Sequence, residues 1–167
     1  MLRPTETGWI FENETLLEDC LKQHLQALLG LQVIAQQYAI NGQICDLVAV
    51  SDNGQLAILE LKNQEDRYII QQLTRYFDAF LAEKPFSDVA DYDQPIRLLA
   101  IAPSFHRDTF IDRKYSHIQI EFLTFAVQAA DAGYTLALNH LDRETSATVP
   151  ISPPLPVVSP SIPSPPK

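Results

Sequence analysis

Residues 44–62 read ICDLVAVSDNGQLAILELK, two apolar runs joined by a short polar segment. The polar segment Asp52-Asn53-Gly54 has the composition of a tight turn, so the two runs predict a β-hairpin. Because side chains alternate along a strand, Glu60 and Lys62 share one face of the second run with Ile58. A carboxylate and an ammonium group beside apolar side chains carry a desolvation penalty unless each has a partner, so this face predicts a polar site.

The turn geometry decides whether a third charged residue, Asp46, joins this site. A type I turn followed by Gly54 in the left-handed conformation gives a three-residue loop, which sets Asp46 directly opposite Glu60 on the same face. A two-residue loop would shift the register by one and send Asp46 to the other face. Asp52 before Asn53-Gly54 favours the bulged turn. We therefore predict two carboxylates on neighbouring strands, with Lys62 one pleat further along.

Two carboxylates at this separation repel one another, and a cation between them would allow both to ionise. Hard oxygen ligands without a supporting His or Cys suit Mg²⁺ or Mn²⁺ better than zinc. A metal held by Asp46 and Glu60, with Lys62 orienting a water or neutralising charge, is the chemistry of phosphodiester hydrolysis. The alternative is an inter-strand salt bridge between Lys62 and Asp46 or Glu60, which the spacing alone favours.

The rest of the chain predicts a mixed sheet flanked by helices. Leucines at helical spacing predict a first helix, which Gly30 ends, and a second helix follows the hairpin. The predicted order is α-β-β-β-α-β, followed by another helix and further strands. The predicted segments are helices over 14–29, 67–82 and 105–115, strands over 33–40, 43–51, 55–62, 96–102 and 118–122, and turns at Asn41-Gly42 and Asp131–Gly133.

Composition divides the chain into a folded domain over residues 1–145 and a Pro/Ser-rich, disordered tail over 146–167. The 167 residues include 21 acidic and 12 basic side chains, a net charge of −9, which argues against coating nucleic acid by bulk charge. Two cysteines are too few for a disulfide framework, so a reducing, cytoplasmic setting is expected. No apolar run approaches the roughly 18 residues of a membrane helix.

Asp46, Glu60-Leu61-Lys62 and the helical pair Gln72-x-x-x-Tyr76 resemble the motifs of the PD-(D/E)xK nuclease superfamily in its RecB-like form. More narrowly, residues 12–125 are similar to the C-terminal catalytic domain of NucS/EndoMS endonucleases. The resemblance implies an α/β, restriction-endonuclease-like core. It also implies that Asp46 and Glu60 bind Mg²⁺ or Mn²⁺, that Leu61 lends its carbonyl to the metal, and that Lys62 assists the water.

Three further residues are candidates for the site. Gln72 and Tyr76 lie one helical turn apart and would steady the scissile phosphate or Lys62, or else Tyr76 is core and Gln72 a solvated edge. Related nucleases place a helical glutamate near the metal, and Glu14 matches that pattern better than Glu18. The alternative is that Thr15-x-x-Glu18 forms a capping box at the start of the first helix.

The resemblance implies a metal-dependent DNA endonuclease. The alternatives are a catalytically inactive interaction module with the nuclease fold, and a nuclease that acts on RNA or branched DNA. The acidic composition predicts weak, salt-sensitive DNA binding that depends on a partner or a second subunit. A homodimer is one arrangement by which a one-domain nuclease cuts both strands.

Overall fold

The computed structural model describes residues 1–152, which form three helices and nine strands. The predicted α-β-β-β-α-β core and its α/β class are confirmed. The helices are α1 (Glu14–Leu29), α2 (Ile69–Glu83) and α3 (Arg107–Lys114). The strands are β1 (Leu2–Pro4), β2 (Trp9–Phe11), β3 (Gln32–Ile40), β4 (Gln43–Val50), β5 (Leu56–Leu61), β6 (Arg97–Ala102), β7 (Glu121–Ala130), β8 (Gly133–His140) and β9 (Thr145–Ile151).

All nine strands belong to one mixed sheet. The hydrogen-bonded order is β1-β2-β7-β6-β5-β4-β3, and β8 and β9 continue from β7. The central strands β5, β6 and β7 run parallel, whereas the other neighbouring pairs are antiparallel. The parallel pairs need crossover connections, which α2 and α3 supply.

The sheet separates two hydrophobic cores. On one face α1 buries its leucine stripe, and Gly30 ends this helix with a backbone φ of +67°. Alternating residues of β5 contribute to the two sides, Leu59 to the core under α1 and Ile58 to the core under α2. The leucines of the stripe, each 6% exposed or less, are Leu17, Leu21, Leu25 and Leu28.

The last strand extends the folded domain beyond the predicted boundary at residue 145. Strand β9 pairs with β8 up to Ile151, and Val149 and Ile151 share a core with the leucines of α1. Pro150 within β9 is compatible with the sheet because β9 has one neighbour, so a missing N–H can face away from the ladder. The tail prediction is therefore wrong for residues 146–151, and for residues 153–167 it lies outside the described part.

Two other expectations differ from the structure. The strand predicted over 118–122 begins at Glu121 and runs to Ala130, because its pairing with β6 starts at Leu99 and Glu121. Strands β1 and β2 were not predicted, since each has three residues. Among the described helices, none is long and apolar enough to cross a membrane.

Candidate functional site

The hairpin between β4 and β5 has the bulged turn that the sequence favours. Gly54 adopts a φ of +84°, its N–H donates to the Ser51 carbonyl at 3.0 Å, and the Ser51 N–H donates to the Gln55 carbonyl at 2.9 Å. The ladder then pairs Val50 with Leu56 and continues to Leu47 and Leu59. This is the predicted register, and the two-residue loop is excluded.

The ladder ends one pair before Asp46 and Glu60, so these residues do not form the predicted cross-strand pair. The Asp46 carboxylate instead accepts the main-chain N–H of Leu61, with a distance of 2.8 Å from Oδ2 to the nitrogen. Burial raises the pKa of Asp46, although this hydrogen bond and the charge of Lys62 oppose the increase. The sequence therefore predicted that Asp46 lies close to β5. It did not predict that the Asp46 carboxylate binds the main chain of Leu61.

Glu60 is a buried carboxylate, and one of its two oxygens has no hydrogen-bond partner in the described structure. The residue is 3% exposed, and its Oε1 lies 3.4 Å from Lys62 Nζ. Its Oε2 is buried without a hydrogen-bond partner in the described structure. Burial raises the pKa of Glu60 to about 8, and the charge of Asp46 adds to the effect. An acid in this state takes up either a proton or a cation at neutral pH.

Lys62 is held between two acids. Its Nζ contacts Glu60 and also Asp66 Oδ2, at 3.8 Å, while its main-chain N–H donates to the Ile101 carbonyl. Burial by itself would lower the pKa of Lys62, but the charges of Glu60 and Asp66 raise it, so the ammonium stays charged. Lys62, the residue after β5, thus contacts Glu60, and the contact is a salt bridge when Glu60 is ionised. It leaves Glu60 Oε2 unpartnered in the described structure.

Helix α2 brings Tyr76 next to Glu60. The Tyr76 hydroxyl donates to the Ile44 carbonyl at 2.8 Å and lies beside the Glu60 carboxylate. Burial and the neighbouring charge of Glu60 raise the pKa of Tyr76. Gln72, one turn earlier, has its Oε1 buried without a partner in the described structure, so it is not a solvated edge. Tyr76 belongs to the core and also borders the site.

Helix α1 carries both candidate glutamates, Glu14 and Glu18, close to Asp46. Asn13 caps the helix by accepting the Leu16 N–H at 2.9 Å, so the capping-box alternative for Glu18 is wrong. Glu14 Oε1 accepts the Asn63 N–H at 3.4 Å, directly after Lys62. The charges of Glu14 and Glu18 both act on Asp46, so both acids are close to it.

Two glutamines of β3 belong to the site and were missed. Gln36 and Gln37 donate to the buried Glu18 carboxylate, and Gln37 Nε2 also donates to Asp46 Oδ1 at 3.1 Å. Gln37 has a φ of +50° in the middle of the strand. Its partner position on β4 is Asp46, and this pair is skipped between Gln36–Leu47 and Tyr38–Cys45. The only sign of these residues in the sequence is that Gln36 and Gln37 follow one another in a strand, where polar and apolar residues are expected to alternate.

The available oxygen donors fit a divalent cation. Asp46 and Glu60 supply carboxylates, and Glu60 Oε2 has no other partner in residues 1–152. The N–H and the carbonyl of a strand residue point to the same side, so the Leu61 carbonyl faces the gap that holds Asp46. No cluster of three or more His, Cys, Asp or Glu side chains suited to a metal occurs in the described residues. A site of two carboxylates and a carbonyl depends on main-chain and solvent ligands, which is typical of Mg²⁺.

Comparisons with known proteins identify a family for the sequence and similar structures for the fold. Residues 13–124 match the family described as Endonuclease NucS C-terminal domain. The fold is similar to an EndoMS in complex with double-stranded DNA, with a TM-score of 0.54 and 17% identity over 67% of this chain and 44% of that one. It is also similar to a repair endonuclease from Pyrococcus abyssi, with a TM-score of 0.51 and 20% identity over 66% of this chain and 46% of that one.

The chain thus spans less than half the length of these two structures. Comparison with curated protein sequences gives no match. The family match covers residues 13–124, which include every site residue predicted from the sequence. The chain belongs to the family of endonuclease NucS C-terminal domains, and its function is nuclease-related.

Proposed function

We propose that this protein is a DNA endonuclease that depends on Mg²⁺ or Mn²⁺. The observation that carries the proposal is the buried Glu60 carboxylate, which has an unpartnered oxygen beside Asp46 and a charged Lys62. A buried acid of this kind has a high free energy unless it meets a proton or a cation. The family name and a DNA-bound structure of similar fold support DNA as the substrate.

In this proposal, Asp46, Glu60 and the Leu61 carbonyl hold the cation. A bound divalent cation would supply an acidic water and would stabilise negative charge on a phosphate. Lys62 keeps its proton because Glu60 and Asp66 favour the charged form, so it contributes positive charge next to the reacting phosphate. Tyr76, fixed by its hydrogen bond to Ile44, limits the space on the α2 side.

Gln72 and Glu14 have supporting roles in the same proposal. Gln72 has a buried oxygen without a partner in the described structure, so it suits a position that orients Lys62 or substrate. Glu14 fixes the main chain directly after Lys62 through the Asn63 N–H. The acidic composition implies that DNA binding is weak and falls with added salt, and a second subunit would increase it.

The test incubates the wild-type chain with plasmid, single-stranded DNA, branched DNA and RNA, each with Mn²⁺ and each with a chelator. Asp46→Ala, Glu60→Gln and Lys62→Met are expected to reduce cleavage by at least about 100-fold, as the loss of a central electrostatic group does. Asp78→Asn is the matched control, because Asp78 is an exposed acid of α2 and lies outside the proposed site.

The outcome separates the candidate functions. Cleavage of plasmid DNA that needs both Mn²⁺ and Asp46 supports the proposal. Cleavage confined to RNA or branched DNA keeps the chemistry and changes the substrate. If wild type and Asp46→Ala behave alike on every substrate, and neither binds Mn²⁺, the chain is a non-catalytic module with a nuclease fold.

A further inference from the structure

One residue of β3 has a backbone conformation that its side chain does not favour. Gln37 has a φ of +50°, although its neighbours Gln36 and Tyr38 are paired regularly with β4. A non-glycine residue in the left-handed region is strained because its Cβ crowds the following carbonyl. Such strain persists only where surrounding contacts hold it, and it is concentrated at functional sites. We therefore looked for contacts of the Gln37 side chain that a regular strand conformation would not allow.

The left-handed turn reverses the direction of one side chain. Successive residues of a regular strand point to opposite faces, so Gln36 and Gln37 would be on opposite sides of the sheet. Both instead reach the same carboxylate of α1. Gln36 Nε2 lies 2.9 Å from Glu18 Oε1, and Gln37 Nε2 lies 2.8 Å from Glu18 Oε2. The strained backbone is what allows Gln37 to approach Glu18.

From that position the Gln37 amide also reaches Asp46. A glutamine amide has two hydrogens, and Gln37 Nε2 is 2.8 Å from Glu18 Oε2 and 3.1 Å from Asp46 Oδ1. The other oxygen of Asp46, Oδ2, accepts the Leu61 N–H at 2.8 Å. Each oxygen of the Asp46 carboxylate thus has one fixed donor, and the rotation of the carboxylate about its χ2 torsion is restricted.

Glu18 is the fixed end of this arrangement. It is 6% exposed and accepts two glutamine amides, so its carboxylate is held on both oxygens. Its helix is anchored by the leucine stripe on the same core face. The series from Glu18 through Gln37 to Asp46 therefore connects the buried side of α1 to a proposed metal ligand by two direct hydrogen bonds.

We propose that Gln37, held in its left-handed conformation and anchored by Glu18, is a positioning residue that orients the Asp46 carboxylate towards a divalent cation. The cation is part of the function proposed above, and this inference rests on it in that respect. Groups that orient a metal ligand in this way commonly change metal affinity by about 10- to 100-fold when they are removed.

The first test compares Mn²⁺ binding by the full chain, measured by electron paramagnetic resonance, in wild type, Gln37→Met and Gln36→Met. Gln36 is the matched control because it binds the same Glu18 but is not hydrogen-bonded to Asp46. Gln37→Met is expected to weaken Mn²⁺ binding by about 10- to 100-fold, and Gln36→Met by less than about 3-fold. Equal effects of the two substitutions overturn the inference.

A second variant separates positioning from folding. Glycine adopts a φ of +50° without strain, so Gln37→Gly removes the amide while it suits the backbone. This variant is expected to melt no lower than Gln37→Met and to lose Mn²⁺ affinity to the same extent. A Gln37→Gly protein that binds Mn²⁺ like wild type shows that the residue is needed only for the chain path, which overturns the inference.

A measurement without metal distinguishes this inference from the proposed function. In the chelator-treated protein, Asp46→Ala is expected to shift the side-chain amide resonances of Gln37 more than those of Gln36 in nuclear magnetic resonance spectra. If the Gln37 resonances do not respond, the hydrogen bond is absent in solution and the inference fails. If they respond but wild type binds no Mn²⁺, the metal function fails, while the orientation of Asp46 by Gln37 stands.

Discussion

In the chelator-treated protein, Glu60→Gln is expected to increase the free energy of unfolding at pH 8 relative to wild type. Burial raises the pKa of Glu60 from its ordinary value of 4.5 to about 8, so the folded state binds the proton more tightly than the unfolded state. The stability that Glu60 contributes is therefore complete below pH 4.5 and is lost as the pH rises through about 8. Glutamine has nearly the same shape as glutamate and carries no charge at any pH between 5 and 8.

The size of the effect follows from that difference. At about 1.4 kcal/mol per pKa unit, an increase from 4.5 to about 8 corresponds to ~5 kcal/mol, which is an upper limit. Structural relaxation and water penetration around an ionised Glu60 reduce it to about 2–4 kcal/mol. A fixed cost of placing the glutamine amide there is the same at every pH. We therefore expect the free energy of unfolding of Glu60→Gln, relative to that of wild type, to increase by about 2–4 kcal/mol between pH 5 and pH 8.

Urea unfolding measures this advantage, with fluorescence of the single tryptophan, Trp9, as the signal. Trp9 packs edge-on against Tyr134, so it reports on the folded sheet. Asp78→Asn is the matched control, because Asp78 is an exposed acid of α2. Its substitution should change the free energy of unfolding equally at pH 5 and pH 8.

Parallel stability curves for wild type and Glu60→Gln between pH 5 and pH 8 would show that Glu60 is not protonated by burial. Addition of Mn²⁺ at pH 8 provides a second reading, because a bound cation offsets the buried negative charge. Mn²⁺ is expected to raise the stability of wild type and to leave Glu60→Gln nearly unchanged. An equal increase in both proteins would place the cation elsewhere.

Three further substitutions test the framework of the site by urea unfolding. Gly54→Ala forces a side chain into a φ of +84° and is expected to cost about 1–2 kcal/mol and to weaken Mn²⁺ binding, since the turn sets the hairpin register. Unchanged stability would contradict the bulged turn. Leu21→Ala removes a side chain of α1 that is 0% exposed and should cost about 2–5 kcal/mol; a cost below 1 kcal/mol would contradict its burial. Asn13→Ala removes the acceptor for the Leu16 N–H and should cost about 1 kcal/mol, with helix content by circular dichroism decreasing at the start of melting.

The sequence predicts the parts of the fold that local chemistry controls. The leucine spacing of α1 and the left-handed Gly30 are both local, and both are found in the structure. The Asp52-Asn53-Gly54 turn fixes the β4–β5 register within a few residues, and the predicted register is confirmed. The proximity of Asp46 to the end of β5 followed from that register alone.

The features that the sequence did not predict depend on distant partners. Strand β2 pairs with β7 through Trp9 and Val127, and three residues carry no local strand signal. Strand β9 contains Pro150, which argues against a strand unless its edge position is known. The left-handed Gln37 donates to Glu18 of α1, a partner distant in the sequence, and two adjacent glutamines give no indication of a positive φ.

The sheet wraps α1 with strands from both ends of the described chain. The leucines of α1 share their core with Phe11 and, late in the sequence, with Leu138 and Ile151. During synthesis α1 leaves the ribosome before β8 and β9, so the part of its apolar face that those strands cover lacks its partners until they follow. Glu18, which anchors the Asp46 contact, depends on that helix being seated. The acidic side of the site is therefore encoded early in the chain, while the core that holds its helix is completed by the last two described strands.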